Sequence, residues 1–284
     1  MTSDTRRVAW RIGYDGAVFH GFQRQDGWTT VQGVMEEVLS RLCDRPMTVW
    51  GAGRTDTGVH ARGQVVHAEV PVRWDPSALT RAMRACLRPY PMAVWAWAVP
   101  GEGFHSRFSA TGRVYAYRLA TGPVPPIFDR HRCWHLPFSL NLGWMEEASL
   151  DFIGTHHFGA FRSVDCQSKR DCITVQAAGW QQCGPHQYEW WVRAPSFLHR
   201  MVRIMVGTLV AIGRGHRPLE TVRLGLASGD RRDAGPTAPP HGLTLEEVVY
   251  ATEILDWHDE CGGDGNDGRF ADGVCFLEGA ERFR

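Results

Sequence analysis

Gly51-Ala52-Gly53-Arg54-Thr55-Asp56-Thr57-Gly58-Val59-His60-Ala61-Arg62-Gly63-Gln64-Val65 is the densest stretch of the chain, and the rest is best read outward from it. Four glycines bracket one aspartate, two arginines and one histidine. Glycine allows tight turns and close approach of a ligand to the backbone. The Asp56 carboxylate can therefore sit on the lip of a loop between two strands. An isolated Asp-x-Gly is an ordinary turn. Arg54, Asp56, His60 and Arg62 together instead set cations around a carboxylate, as a phosphate or nucleic-acid site does.

On either side the pattern alternates between strands and single helices. Val8 to Tyr14 has a period of two and predicts a strand, as does Gln64 to Val70; Met47 to Trp50 predicts a short one. Val34, Val38 and Leu42 predict an amphipathic helix that starts after Thr29-Thr30. Asp75-Pro76-Ser77 caps a second helix through Leu87, and Val94 to Val99 predicts a strand. The later half repeats the mixture. Strands are expected at Val114 to Ala120, Ile173 to Trp180 and Gln187 to Ala194, and helices at Asn141 to Ile153, Phe197 to Ile212 and Pro218 to Ala227. Thr244 to Tyr250 fits strand or helix. The expectation is an α+β protein: residues 1–107 and 108–256 as two similar units, joined near Pro89 to Arg107.

Composition narrows the classes. The chain has 284 residues, 43% of them hydrophobic, which is enough for a sizeable core and excludes global disorder. No apolar run approaches the ~20 residues of a membrane span, and MTSDTRR carries no signal-peptide core, so a cytoplasmic location is expected. Eight cysteines without tight pairs read as reduced thiols. A zinc site from Cys166, Cys172, Cys183 and His186 would have unusually wide spacing, and His156 and His157 diverge if they are helical. The 31 basic and 31 acidic residues cancel, but residues 256–284 hold eight acidic and three basic ones. This leaves a mildly basic body, compatible with a polyanionic partner, ahead of an acidic, Gly-rich tail expected to be loosely ordered from about 257. Lys169 is the only lysine; the other cations are arginines, which suit bidentate phosphate contacts.

Gly53-Arg54-Thr55-Asp56-x-Gly-Val-His60-Ala-x-Gly-Gln64-Val65 resembles the signature of the TruA family of tRNA pseudouridine synthases. Four further blocks resemble the same family in order. They are Tyr14-Asp15-Gly16 with His20-Gly21-Phe22-Gln23 and Thr30-Val31-Gln32-Gly33; Phe104-His105-x-Arg107-Phe108 with Arg113-x-Tyr115-x-Tyr117; Phe197-Leu198-x-x-Met201-Val202-Arg203; and Ala238-Pro239-x-x-Gly242-Leu243. The likeness covers about residues 8–250. His157 stands where the family usually has a carboxylate, and the acidic tail matches nothing in it.

The resemblance implies two ferredoxin/RRM-like domains that form a continuous central antiparallel sheet, with helices outside and a cleft between. It implies isomerisation of uridine to pseudouridine at positions 38, 39 and 40 of the tRNA anticodon arm, by a homodimer, without cofactor or metal. Asp56 matches the family's catalytic aspartate, with three roles open: attack on the ribose, attack on the base, or help in losing a sugar proton. Arg203 matches the arginine that pairs with it, and Tyr115 the tyrosine that stacks on the target base. Arg54, His60 and Arg24 are the remaining candidates for RNA contact. The chemistry suits one carboxylate. A glycosidase needs a second for water or nucleophilic attack, whereas here the departing base is also the returning nucleophile. Closing RNA over an aspartate with a reference pKa of ~3.9 raises that value unless a cation stands beside it.

Overall fold

A computed structural model describes residues 4–252 and 254–259. The elements follow the order β1 (Thr5–Tyr14), α1 (Val31–Cys43), β2 (Trp50–Gly51), β3 (His60–Pro71), α2 (Pro76–Leu87), β4 (Met92–Ala98) in the first half. The second half runs β5 (Ala110–Thr121), β6 (Trp134–Leu136), α3 (Leu142–Leu150), β7 (Gly154–His157), β8 (Cys172–Val175), β9 (Ala177–Gly184), β10 (Gln187–Ala194), α4 (Met201–Gly213), α5 (Thr221–Ser228) and β11 (Leu243–Tyr250). The protein is a mixed α+β fold built on one large sheet.

Local chemistry explains the elements. Val8, Trp10, Ile12 and Tyr14 alternate along β1 and are buried, and the Trp10 indole donates to Thr80 Oγ1 of α2 at 2.9 Å. The Thr30 hydroxyl caps α1 by accepting from Gly33 N–H, and the Asp75 carboxylate caps α2 by accepting from Ala78 N–H at 2.9 Å. Helix α4 is buried almost all round, with Arg203 its one charged residue.

The main sheet has the order β4-β1-β3-β11-β5-β10-β9, with β2 added beside β3 and β6 beside β5. The expectation of a wholly antiparallel sheet is corrected at the seam. There β11 pairs with β3 in parallel, through Thr244 opposite His60 and Leu245 opposite Ala61. The turn at Pro240–Gly242 delivers β11 beside the start of β3, so both strands leave from the same end. β6 also runs parallel to β5. β7 and β8 form a separate hairpin-like pair, so His156 and His157 lie on a strand, not a helix. The predicted strand at 173–180 is in fact two, broken at Gln176, and Thr244 to Tyr250 is a strand. Among the described residues no helix is long and apolar enough to cross a membrane. Most of the acidic tail lies outside the described residues. Its first part is ordered, with His258 bridging to Trp97 and Trp257 lying over the Arg11 guanidinium.

Candidate active site

The Asp56 loop lies between β2 and β3, and it is fastened from several directions. Phe22 N–H donates to Thr55 O at 3.0 Å, Gln64 Nε2 to Gly53 O at 2.9 Å, and Arg113 Nη2 to Ala52 O at 2.8 Å. The Tyr14 hydroxyl bonds Thr55 Oγ1 at 2.8 Å. Gly21 has φ +82°, and a Cβ there would lie 2.9 Å from Thr55 O, so only glycine lets the neighbouring loop come this close. Asp56 is thus held by a rigid backbone while its side chain stays 26% exposed.

Arg203 reaches the loop from α4. Its Nη1 donates to Asp56 Oδ2 at 2.8 Å, and its Nε donates to the Ala238 carbonyl at 2.9 Å. The carbonyl fixes the guanidinium plane, so Asp56 receives one nitrogen and not a bidentate fork. His199 Nε2 stands 3.5 Å from the other carboxylate oxygen, Oδ1. Tyr115, on β5, is buried against Phe197, with ring centroids 5.1 Å apart and nearly perpendicular. Its hydroxyl lies near the loop, since a Cβ on Gly53 would be 4.0 Å from it. Among the described residues it makes no hydrogen bond. Burial holds the Tyr115 phenol far above its ordinary pKa, with Tyr14 and Asp56 adding to the rise. Burial likewise pushes Tyr14 up to about 12. Both tyrosines are neutral at physiological pH.

The structure therefore brings together Asp56, Arg203 and Tyr115, which are distant in sequence. Arg54 is exposed two residues before Asp56 and has no ion pair with any described residue. Arg24 is exposed too, but its Nη1 is drawn to buried Glu36 at 3.1 Å. His60 lies buried at the base of the loop. It is 5% exposed, its Nδ1 accepts from Gly16 N–H at 3.0 Å, and its Nε2 faces the carbonyls of His131 and His241 at 2.9 and 3.1 Å. Both ring nitrogens are occupied, so His60 ties the loop base to three other segments. Tyr117, the other tyrosine of the block, is a core residue whose hydroxyl donates to Pro239 O at 2.7 Å.

His157 on β7 pairs with Asp171, just ahead of β8, Nδ1 to Oδ1 at 2.9 Å, and this hydrogen bond keeps Asp171 below the usual carboxylate range. Among the described residues no group of three or more His, Cys, Asp or Glu is placed to hold a metal ion. The sequence reading missed His199. The available signal was its place inside the same Phe197 to Arg203 block that carries Arg203.

The site so built is one half-open carboxylate held by an arginine beside a buried, neutral tyrosine. The family model described as tRNA pseudouridine synthase matches residues 12–109 and 148–251. The chain belongs to that family. It is 43% identical over 250 residues to tRNA pseudouridine synthase A of Cereibacter sphaeroides (strain ATCC 17025 / ATH 2.4.3), covering 87% of this chain and 97% of the relative. The corresponding protein of Paramagnetospirillum magneticum is 40% identical, covering 84% of this chain and 93% of the relative. That of Caulobacter vibrioides is 39% identical, covering 84% and 96%. Among solved structures, a chain in a Cbf5-Nop10-Gar1 complex aligns with a TM-score of 0.31 at 10% identity, covering 84% of this chain and 49% of that one. A likeness that low carries no argument.

Proposed function

We propose that this chain converts uridine to pseudouridine in the anticodon stem-loop of tRNAs, at positions 38, 39 and 40, with Asp56 as the acting carboxylate. The observation that supports it most is the Asp56–Arg203 contact at 2.8 Å, which joins two separate sequence blocks at an open loop. In the reaction the N1–C1′ bond breaks and the base turns. C5 then bonds to C1′, the C5 proton leaves, and N1 takes up a proton. Atoms balance without hydrolysis or redox change. Arg203 sets a positive charge beside the Asp56 carboxylate where the RNA would close over it. Tyr115 supplies an aromatic face for the flipped base, and its neutral hydroxyl is suited to proton transfer at C5. Flipping the nucleotide costs a few kcal/mol, and exposed Arg54 is placed to fill the gap or hold a phosphate. Arg24 is a further backbone contact at the rim.

In this reading residues 1–107 and 108–256 are two ferredoxin/RRM-like halves that meet at the β3–β11 seam. β1, β3 and β4 with α1 and α2 on one side, and β5, β9, β10 and β11 with the later helices on the other, support that division. The enzyme works in the cytoplasm as a homodimer with tRNA crossing both subunits. Such breadth of substrate fits recognition of RNA shape and backbone rather than sequence.

The test is incubation with unmodified tRNA and chemical mapping of pseudouridine. Wild type is expected to modify the anticodon arm. Asp56→Asn should lower turnover by about 10³-fold or more while retaining tRNA binding. Release of free uracil would favour a hydrolase instead, and binding without product would favour a non-catalytic RNA-binding protein.

A further inference from the structure

The two oxygens of Asp56 have different partners. Oδ2 takes the Arg203 hydrogen bond at 2.8 Å, and Oδ1 faces His199 Nε2 at 3.5 Å. Arg203 alone cannot set the plane of the carboxylate. Its Nε donates to Ala238 O, and of its other nitrogens only Nη1 meets Asp56, so it grips the carboxylate at a single point. The terminal torsion of an aspartate is soft and roughly two-fold. A carboxylate held at one oxygen therefore swings about that contact.

His199 is itself held in place by the backbone. Arg200, which follows it, has φ 60° and ψ 11°, a left-handed conformation that is strained for a non-glycine residue. Because of this kink α4 starts at Met201, four residues later than the apolar run in the sequence predicts. His199 thus lies ahead of the helix. Its carbonyl accepts from Ser163 N–H at 3.0 Å, in the loop whose base is closed by Phe158 N–H to Asp171 O at 2.9 Å and by the His157–Asp171 pair. Backbone strain retained beside a reactive side chain points to a requirement at that site.

From this we infer that His199 is a positioning residue. Its Nε2–H holds Oδ1 of Asp56, fixes the carboxylate plane, and so decides which oxygen lone pairs face the ribose and base. At 3.5 Å the contact is longer than a formed hydrogen bond. Contacts of this kind are often loose without substrate and tighten in the complex. The inference rests on the functional reading above, because it assigns His199 a role through Asp56.

The experiment is steady-state and single-turnover kinetics on unmodified tRNA for wild type and for His199→Gln, His199→Asn and His199→Phe, with tRNA Kd and melting temperature measured alongside. A glutamine amide nitrogen reaches the place of Nε2, and an asparagine falls one methylene short. The expected result is a kcat within about 3-fold of wild type for Gln and a loss of about 10- to 100-fold for Asn and Phe, with KM and tRNA Kd unchanged. The comparison of Gln with Asn stands whether or not the Phe variant folds. Asn turning over like wild type overturns the inference, and so does Gln failing as badly as Asn. Weaker tRNA binding at unchanged kcat would make His199 an RNA contact and overturn it as well. These failures are separable from failure of the functional reading, which appears as absence of pseudouridine with wild type and removes both.

Discussion

Asp56 meets Arg203 at 2.8 Å, and Glu189 meets Arg118 at 2.7 Å. The second pair is finished. Glu189 on β10 lies opposite Arg118 on β5 and Gln181 on β9, and Gln181 Nε2 donates to its other oxygen at 2.7 Å. Glu189 is 2% exposed, so no reactant can reach it. Asp56 is 26% exposed; among the described residues its second oxygen meets only a distant histidine, and a tyrosine hydroxyl without a partner lies close by. The same two functional groups make a sheet clamp in one place and, in the proposed reaction, the acting centre in the other. What separates them is whether the last lone pairs are satisfied.

The comparison predicts opposite effects of removing each acid. Asp56→Asn should abolish turnover and leave the melting temperature nearly unchanged. Glu189→Ala should do the reverse. Removing one partner of a buried pair strands the other charge, at a cost of about 3 kcal/mol. Urea unfolding of the two variants checks this: a lowered midpoint with an unchanged slope is expected for Glu189→Ala, and the folded fraction should keep wild-type kcat. A lowered kcat in that fraction would show that the clamp also shapes the site.

Arg203→Lys probes the arginine side of the comparison. Lysine keeps the charge but cannot bond both Ala238 O and Asp56 in one plane. Turnover should fall by about 10- to 100-fold with little change in tRNA affinity, because a misoriented carboxylate is slow and not repulsive to RNA. The matching change Arg118→Lys, at a clamp 21% exposed on the arginine side, should leave kcat alone.

Much of the arrangement was legible in the sequence, and the exceptions share a cause. Strand β1 and helices α1 and α2 follow from periodicity and caps, which are local. Asp56, Arg203 and Tyr115 were each marked by ordered motif blocks, and the fold brings the blocks together. His199 was missed because a lone histidine in the apolar run Phe197 to Ile212 looks like a helix residue. The left-handed Arg200 that takes it off the helix has no composition signal. The motif around His60 is polar and reads as an RNA contact; the carbonyls that occupy its ring, from His131 and His241, arrive from far along the chain and leave no local signal. The parallel seam was hidden for the same reason, since strand direction depends on where the Pro240–Gly242 turn lands.

The smallest expected effect comes from Glu246, the less finished neighbour of the Glu189 clamp. It lies on β11 at a register shift, 14% exposed, with Arg62 Nη1 at 3.7 Å, too far for a hydrogen bond. Burial raises its pKa from an ordinary 4.5 to about 7, against the pull of Arg62, and the charge of Glu189 adds to the rise. A raised carboxyl binds its proton more tightly in the folded chain than in the unfolded one. Its contribution to stability is therefore full below pH 4.5 and is lost as pH climbs through about 7. A shift of this size corresponds to at most about 3 kcal/mol, and about 2 kcal/mol is expected because water reaches the carboxyl edge. Glu246→Gln removes the titration. Unfolding free energies at pH 5 and pH 8 should therefore differ less for the variant than for wild type, and the variant should be the more stable of the two at pH 8. Equal pH dependence in both would mean that Glu246 is already ionised at pH 5, with Arg62 close enough in solution to complete a second clamp beside Glu189.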